Sequence, residues 1–347
     1  MPPPSIRRIF ALIFSISIVF ACKNEPSGKI VTVSATQKFI LLDQTAAQTA
    51  ITTDTCDGFF ARITTAEMSY QLQKNKIGAP AGRPQLLAAY QNLLRSDVAD
   101  FTADEQRFLN DILKETYEYA TKMSPTFFPE KVLLAKIQGK TYGDDVFFTR
   151  QNTIFIPQSA LNQRNNDEML KTLLHELSHI YTRTHLQKKY QLYAQIGFRP
   201  VRDGKLLIGD TLAERLITNP DGTDLGWTTT LVTNEGNVEA MPLMYLAPDR
   251  AGNPNMPWFF FEYFEVEKTP QGTNIITVGG SRSTIRTKDI VPIFQQKYNT
   301  DYIIHPDEII ASNVAILAYS YKKNNVLTPL TDAGRDFLAK MHDILNQ

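Results

Sequence analysis

Leu173-Leu174-His175-Glu176-Leu177-Ser178-His179-Ile180-Tyr181 is the stretch from which the rest of the chain can be read. Leu170, Leu173, Leu174, Leu177 and Tyr181 recur at helical spacing, which predicts a helix with one apolar face. Asn165 or Asn166 suits its N-cap, and Asp167 and Glu168 lie where the helix dipole favours negative charge. His175 and His179 stand one turn apart, so both imidazoles project from the same side. Glu176 lies about 100° around the helix from His175. Two neutral imidazoles at this spacing suit Zn²⁺, and a carboxylate beside them suits a general base. The pattern is HExxH. The bland alternative is a solvated helix face that happens to carry two histidines, because a metal site also needs a third ligand and an open position.

The third ligand must come from elsewhere. In His305-Pro306-Asp307-Glu308-Ile309-Ile310-Ala311-Ser312-Asn313, Pro306 suits the first position of a helix. Glu308 would then face outward from the first turn of an amphipathic helix continued by Ile309, Ile310, Val314 and Leu317. Asp307 and Glu308 also complement a helix dipole, so the residues alone leave ligand and dipole roles level.

HELSH followed by HPDEIIASN resembles the gluzincin class of zinc metallopeptidases, specifically membrane-anchored bacterial peptidases with a glutamate helix of this type. The resemblance covers roughly residues 130–190 and 288–322. It implies an α+β, zincin-like catalytic domain with one zinc ion on His175, His179 and Glu308, and with Glu176 as base. The glutamate helix lacks the N-E-x-x-S-D form of thermolysin-like enzymes and follows His179 by about 130 residues. A shorter spacer ends at Asp210-Thr211-Leu212-Ala213-Glu214, which makes Glu214 the alternative third ligand. Three further residues join the candidates: Tyr302 as a proton donor to a tetrahedral intermediate, His305 as an oxyanion contact or helix cap, and Asn313 as a partner of a ligand histidine. Two rival functions remain beside peptide hydrolysis, a non-catalytic binding lipoprotein of the same fold and a domain in which zinc is purely structural.

Around this centre the chain punctuates itself. Arg7 and Arg8 precede an apolar run from Ile9 to Ala21, which is too short to span a bilayer and suits the core of an export signal. Its end, Ile18-Val19-Phe20-Ala21-Cys22, resembles the lipobox of bacterial lipoproteins. That implies cleavage after residue 21, lipid on Cys22 and a mature protein held on the periplasmic or cell-surface side of a membrane. Lipidation would leave Cys56 alone, so no intramolecular disulfide is expected. Residues 22–29 read as a tether.

Residues 30–130 are expected to form a mostly helical region and 131–347 the catalytic domain, with a β-rich insertion at about 219–287. Helices are predicted over about 85–96 and, behind the capping box Thr102-Ala103-Asp104-Glu105, to about 122. A strand over 132–137 and a hairpin of 146–149 with 153–156 follow. The hairpin is expected to border the cleft, where a free edge can pair with an extended peptide. Later come a short helix around 210–217, then helices over 289–297, 306–321 and 332–345. The aromatic run Trp258-Phe259-Phe260-Phe261 reads as core packing. With 36 basic and 36 acidic residues among 347, the chain offers no electrostatic reason to bind nucleic acid.

Overall fold

The structure is a computed structural model, and it describes residues 25–201, 206–233, 236–247, 258–278, 281–324 and 330–347. The apolar run read as an export signal and Cys22 lie outside the described residues. Strands β1 (Gly28–Thr32) and β2 (Lys38–Leu42) form an antiparallel hairpin. Helices α1 (Gln44–Thr52), α2 (Phe59–Arg62), α3 (Thr65–Lys74) and α4 (Arg83–Asp97) follow, then the short β3 (Val98–Ala99) and α5 (Ala103–Met123). The capping box of α5 forms as its sequence predicts, with Glu105 N–H donating to Thr102 Oγ1 and Thr102 N–H to Glu105 Oε2.

Next come β4 (Lys131–Ile137), β5 (Phe148–Arg150), β6 (Thr153–Pro157) and α6 (Gln158–Gln163). The first sheet has the order β1-β2-β4-β6-β5, with β2, β4 and β6 parallel and β5 antiparallel at the edge. Its parallel strands read as near-continuous apolar runs because both faces are covered. Phe39, Leu41, Val132, Leu134, Ile154 and Ile156 point into one core, and Ile40, Leu42, Ala135, Ile137 and Phe155 into the other. Each of these Val, Leu, Ile and Phe side chains contributes about 1.5–3 kcal/mol by leaving water.

This arrangement corrects the expected division at residue 130. The 30–130 region supplies two strands to the same sheet as β4 and β6, and α1, α3 and α4 cover one face of that sheet. The region is mostly helical, as expected, and forms a layer of the same fold.

On the other face lie α5, α7 (Asn166–Thr184), α11 (Pro306–Ser320) and α12 (Asp332–Asn346), which share one core. Asn165 caps α7, its Oδ1 accepting from Glu168 N–H at 3.2 Å. Between α7 and α11 the chain forms α8 (Leu186–Gln195), β7 (Phe198–Pro200), β8 (Leu206–Leu207) and α9 (Asp210–Ala213). The long strands β9 (Trp227–Thr233), β10 (Gly236–Leu246) and β11 (Phe259–Thr269) follow, with β12 (Gly272–Ile275) and α10 (Thr287–Tyr298). The second sheet has the order β7-β9-β10-β11-β12-β8, so the β-rich lobe begins near Phe198 and not at 219. The aromatic run 258–261, expected in the core, is only half-buried, with Trp258 stacked on Tyr70 at a ring-centroid distance of 5.2 Å, while Tyr263 and Phe264 just beyond it are buried. Helices and strands thus mix in an α+β chain with two principal sheets. No helix among the described residues is long and apolar enough to cross a membrane.

Candidate metal centre

Helix α7 packs directly on α11, and this contact assembles the centre. His175 and His179 lie one turn apart with ring centroids at 4.8 Å. Helix α11 starts where sequence reasoning places it, with Pro306 in its first turn. Glu308 differs from expectation in one respect: the carboxylate faces α7 and is 2% exposed, because residues 306–311 are all buried. Its Oε2 lies 3.1 Å from His175 Nε2 and 3.5 Å from His179 Nε2.

These distances bear on what the group can hold. Ligand bonds of about 2.0–2.1 Å in a tetrahedron put neighbouring ligand atoms about 3.3 Å apart. His179 Nδ1 is 2.9 Å from Asp307 Oδ2, and a carboxylate can only accept, so the ring proton sits on Nδ1. The Nε2 lone pair therefore points into the centre, buried and without a hydrogen-bond partner. A buried lone pair beside a carboxylate oxygen calls for a positive charge between them. The surrounding carboxylates favour positive charge at this point, whether from an ion or from a second proton on the ring. Burial works against charge on His179, yet the Glu308 and Asp221 carboxylates and the bond to Asp307 raise its pKa well above the usual range. Burial likewise opposes ionisation of Glu308, and the two imidazoles pull it well below the carboxylate range. The three side chains fit a divalent cation, and their donor set of two imidazoles and one carboxylate suits zinc.

Asp307 organises the layer behind. Burial opposes its charge, but His179, together with Lys189 and His305, holds its pKa at about 2. Tyr193 Oη donates to its Oδ1 at 2.6 Å, and Thr182 Oγ1 to Oδ2 at 3.1 Å. His305 caps α11, its Nδ1 accepting from Asp307 N–H while Nε2–H donates to the Asp224 carbonyl at 3.1 Å. It is 5% exposed and braces the centre from behind. Gly222 lies against its ring, where a Cβ would come within 2.3 Å of Cε1, so only glycine fits.

The segment Thr218–Asp224 closes the other side. Thr218 N–H donates to Glu67 Oε2, and Asn219 Nδ2 donates to Glu308 Oε1 at 2.8 Å. Asp221 Oδ1 accepts from Thr149 N–H at 2.6 Å and from Thr149 Oγ1 at 2.7 Å. Glu176 is 4% exposed, with Oε2 unpartnered. Burial first, then the charge of Asp221, raises its pKa well above the ordinary glutamate range, which suits a proton acceptor.

A cleft of about 430 Å³ opens onto His175, Glu176, Glu308 and Asp221, with Asp145–Phe147 along one wall. Tyr302 lines it with its ring centroid 6.4 Å from that of His175. Tyr302 is 45% exposed overall, and partial burial of its phenol together with the Glu308, Asp221 and Glu176 carboxylates raises its pKa.

Two candidates fall away. Glu214 follows α9 on the surface and belongs to neither group of ligand-type atoms among the described residues. Asn313 is fully buried but orients no histidine: its Nδ2 donates to the Tyr298 and Ile309 carbonyls, and its Oδ1 accepts from Asn299. The partner of His179 is Asp307, a residue whose charge reads equally well as a dipole complement. Asn219 and Asp221 sit in Asn219-Pro220-Asp221-Gly222, which reads as a helix-ending turn. Cys56 is exposed and has no disulfide partner among the described residues. Comparisons with protein-family models, with curated proteins and with solved structures return no match.

Proposed function

We propose that this protein is a zinc-dependent metallopeptidase of zincin-like, gluzincin-type architecture, carried on a bacterial membrane by lipid on Cys22. The observation that carries the reading is the approach of Glu308 Oε2 to both imidazole Nε2 atoms, from a helix about 130 residues downstream, beside an unpartnered Glu176. His175, His179 and Glu308 would hold the ion, with Asp307 fixing the tautomer of His179 and Asn219 steadying Glu308. When bound, zinc supplies a Lewis acid that polarises a carbonyl and brings the pKa of water toward neutrality.

The rest of the chemistry belongs to the chain. Glu176 takes the proton of the attacking water and passes it to the leaving amine. The Tyr302 phenol, kept protonated, donates to the oxyanion that forms on the carbonyl oxygen. The edge strand β5, which follows the Asp145–Phe147 wall of the cleft, offers main-chain groups to an extended peptide. The side chain of His175 is 18% exposed toward this cleft, which favours a catalytic over a closed structural site.

Glu176→Gln tests the assignment. The variant is expected to bind zinc as the parent does and to lose about 10²- to 10⁴-fold in peptide hydrolysis. Hydrolysis at the parent rate would reject Glu176 as the base.

A further inference from the structure

The edge of the first sheet carries a reading of substrate polarity. β5 is the last strand of its sheet, and Thr149 lies in register with Ile154 of β6. The Thr149 N–H points away from β6, because it donates to Asp221 Oδ1. Amides two residues apart along an antiparallel strand face the same way, so a peptide pairing with the outer side of β5 and continuing upstream would meet the Phe147 amide next. Phe147 lines the cleft, and Val146 is 40% exposed there. Residues 146–147 lead into β5 from a turn at Asp145, and the outer side of β5 is closed at Thr149 by a carboxylate.

Antiparallel pairing is the more stable arrangement at a sheet edge. A peptide added that way runs opposite to β5, which puts its N-terminal end at Asp221. One Asp221 oxygen serves Thr149, and among the described residues no donor reaches the other. An oxygen of Asp221 lies within 4.8 Å of a His179 ring nitrogen and of a Glu176 carboxylate oxygen. Glu176 Oε2 is buried and unpartnered.

We infer that Asp221 binds the α-ammonium group of the substrate's first residue, so that the protein is an aminopeptidase. This rests on the zinc peptidase reading above. The amine nitrogen and carbonyl carbon of one residue are about 2.5 Å apart, so an ammonium held at Asp221 belongs to the residue whose carbonyl is attacked. An acylated chain continuing in this direction meets Asp221 and the closed end of the edge, and it brings no charge or ammonium donor to the carboxylate. In each turnover the water oxygen bonds to the carbonyl carbon as the C–N bond breaks. Both water protons end on the leaving nitrogen, the first by way of Glu176. The products are one free amino acid and a peptide shortened by one residue, whose new ammonium makes it a substrate again.

The test gives the full zinc-loaded chain one peptide in three forms: free, N-acetylated and C-amidated, with products followed by mass spectrometry. The free and C-amidated forms are expected to lose their first residue, and the N-acetylated form to react about 10- to 100-fold more slowly, the value of one charged hydrogen bond. Asp221→Asn keeps an acceptor for Thr149 and removes the charge, and it is expected to bring the free-to-acetylated ratio of kcat/KM toward one. Equal cleavage of all three forms by the parent protein would overturn the amine assignment and leave the peptidase reading standing. A parental ratio in Asp221→Asn would overturn the role of Asp221. No cleavage of any form by a zinc-loaded chain would overturn both readings.

Discussion

Asp307 touches no cleft atom on the catalytic side, yet it fixes which nitrogen of His179 faces Glu308. Its four contacts, to His179, Thr182, Tyr193 and the His305 cap, each use a different atom or direction of the residue. In Asp307→Asn a neutral amide replaces the charged acceptor for Nδ1–H, and the ring loses much of its tautomer preference. The variant is expected to bind zinc about 10- to 100-fold more weakly while keeping the parent's circular dichroism, measured by competition with a chelating dye. At this scale the sequence was partly legible. His175, Glu176 and His179 could be read because helical spacing alone puts them together. Asn219 and Asp221 could not, since a turn-forming tetrapeptide looks the same whether its amide and carboxylate face solvent or a buried ligand.

Helix α3 illustrates what an element contributes from a distance. Glu67 is fully buried, and its Oε2 accepts from Thr218 N–H at the head of the segment that carries Asn219 and Asp221. Burial raises its pKa to about 8, against the Thr218 bond and the charge of Arg150. The folded state therefore keeps a proton that the unfolded chain releases near pH 4.5, and stability falls as pH rises from about 4.5 to 8, by at most about 1.4 kcal/mol per unit. Glu67→Gln keeps the acceptor for Thr218 and removes the titration. Urea unfolding at pH 5 and pH 8 is expected to show a smaller loss of stability in the variant than in the parent, and equal losses would contradict the assignment. The raised Glu176 is common to both proteins and cancels in the comparison. Helices such as α5 were legible from their caps. Helix α3 was not, because its inward face carries Glu67 and Gln71 beside Met68 and Leu72, and a mixed polar and apolar face has no clear period.

Over the whole molecule, one sheet joins the first strands of the chain to the strands that precede α7, and one helix contact joins α7 to α11. The sequence order of strands and helices was readable, but the pairing of β2 with β4 was not, since long crossovers leave no local mark. The two histidines and the glutamate thus meet only when the entire α7–α11 interface forms, and an ion held there is expected to link folding to metal. A chain saturated at 100 times its dissociation constant gains about 2.7 kcal/mol over the metal-free form. The most direct measurement is the zinc content and affinity of the parent, Glu308→Ala and Glu214→Ala proteins, by metal analysis and chelator competition. One zinc per parent chain, affinity lost by 100-fold or more in Glu308→Ala and unchanged in Glu214→Ala, is the expected result. A parent that takes up no zinc, or a Glu308→Ala protein that binds it as the parent does, would contradict the account.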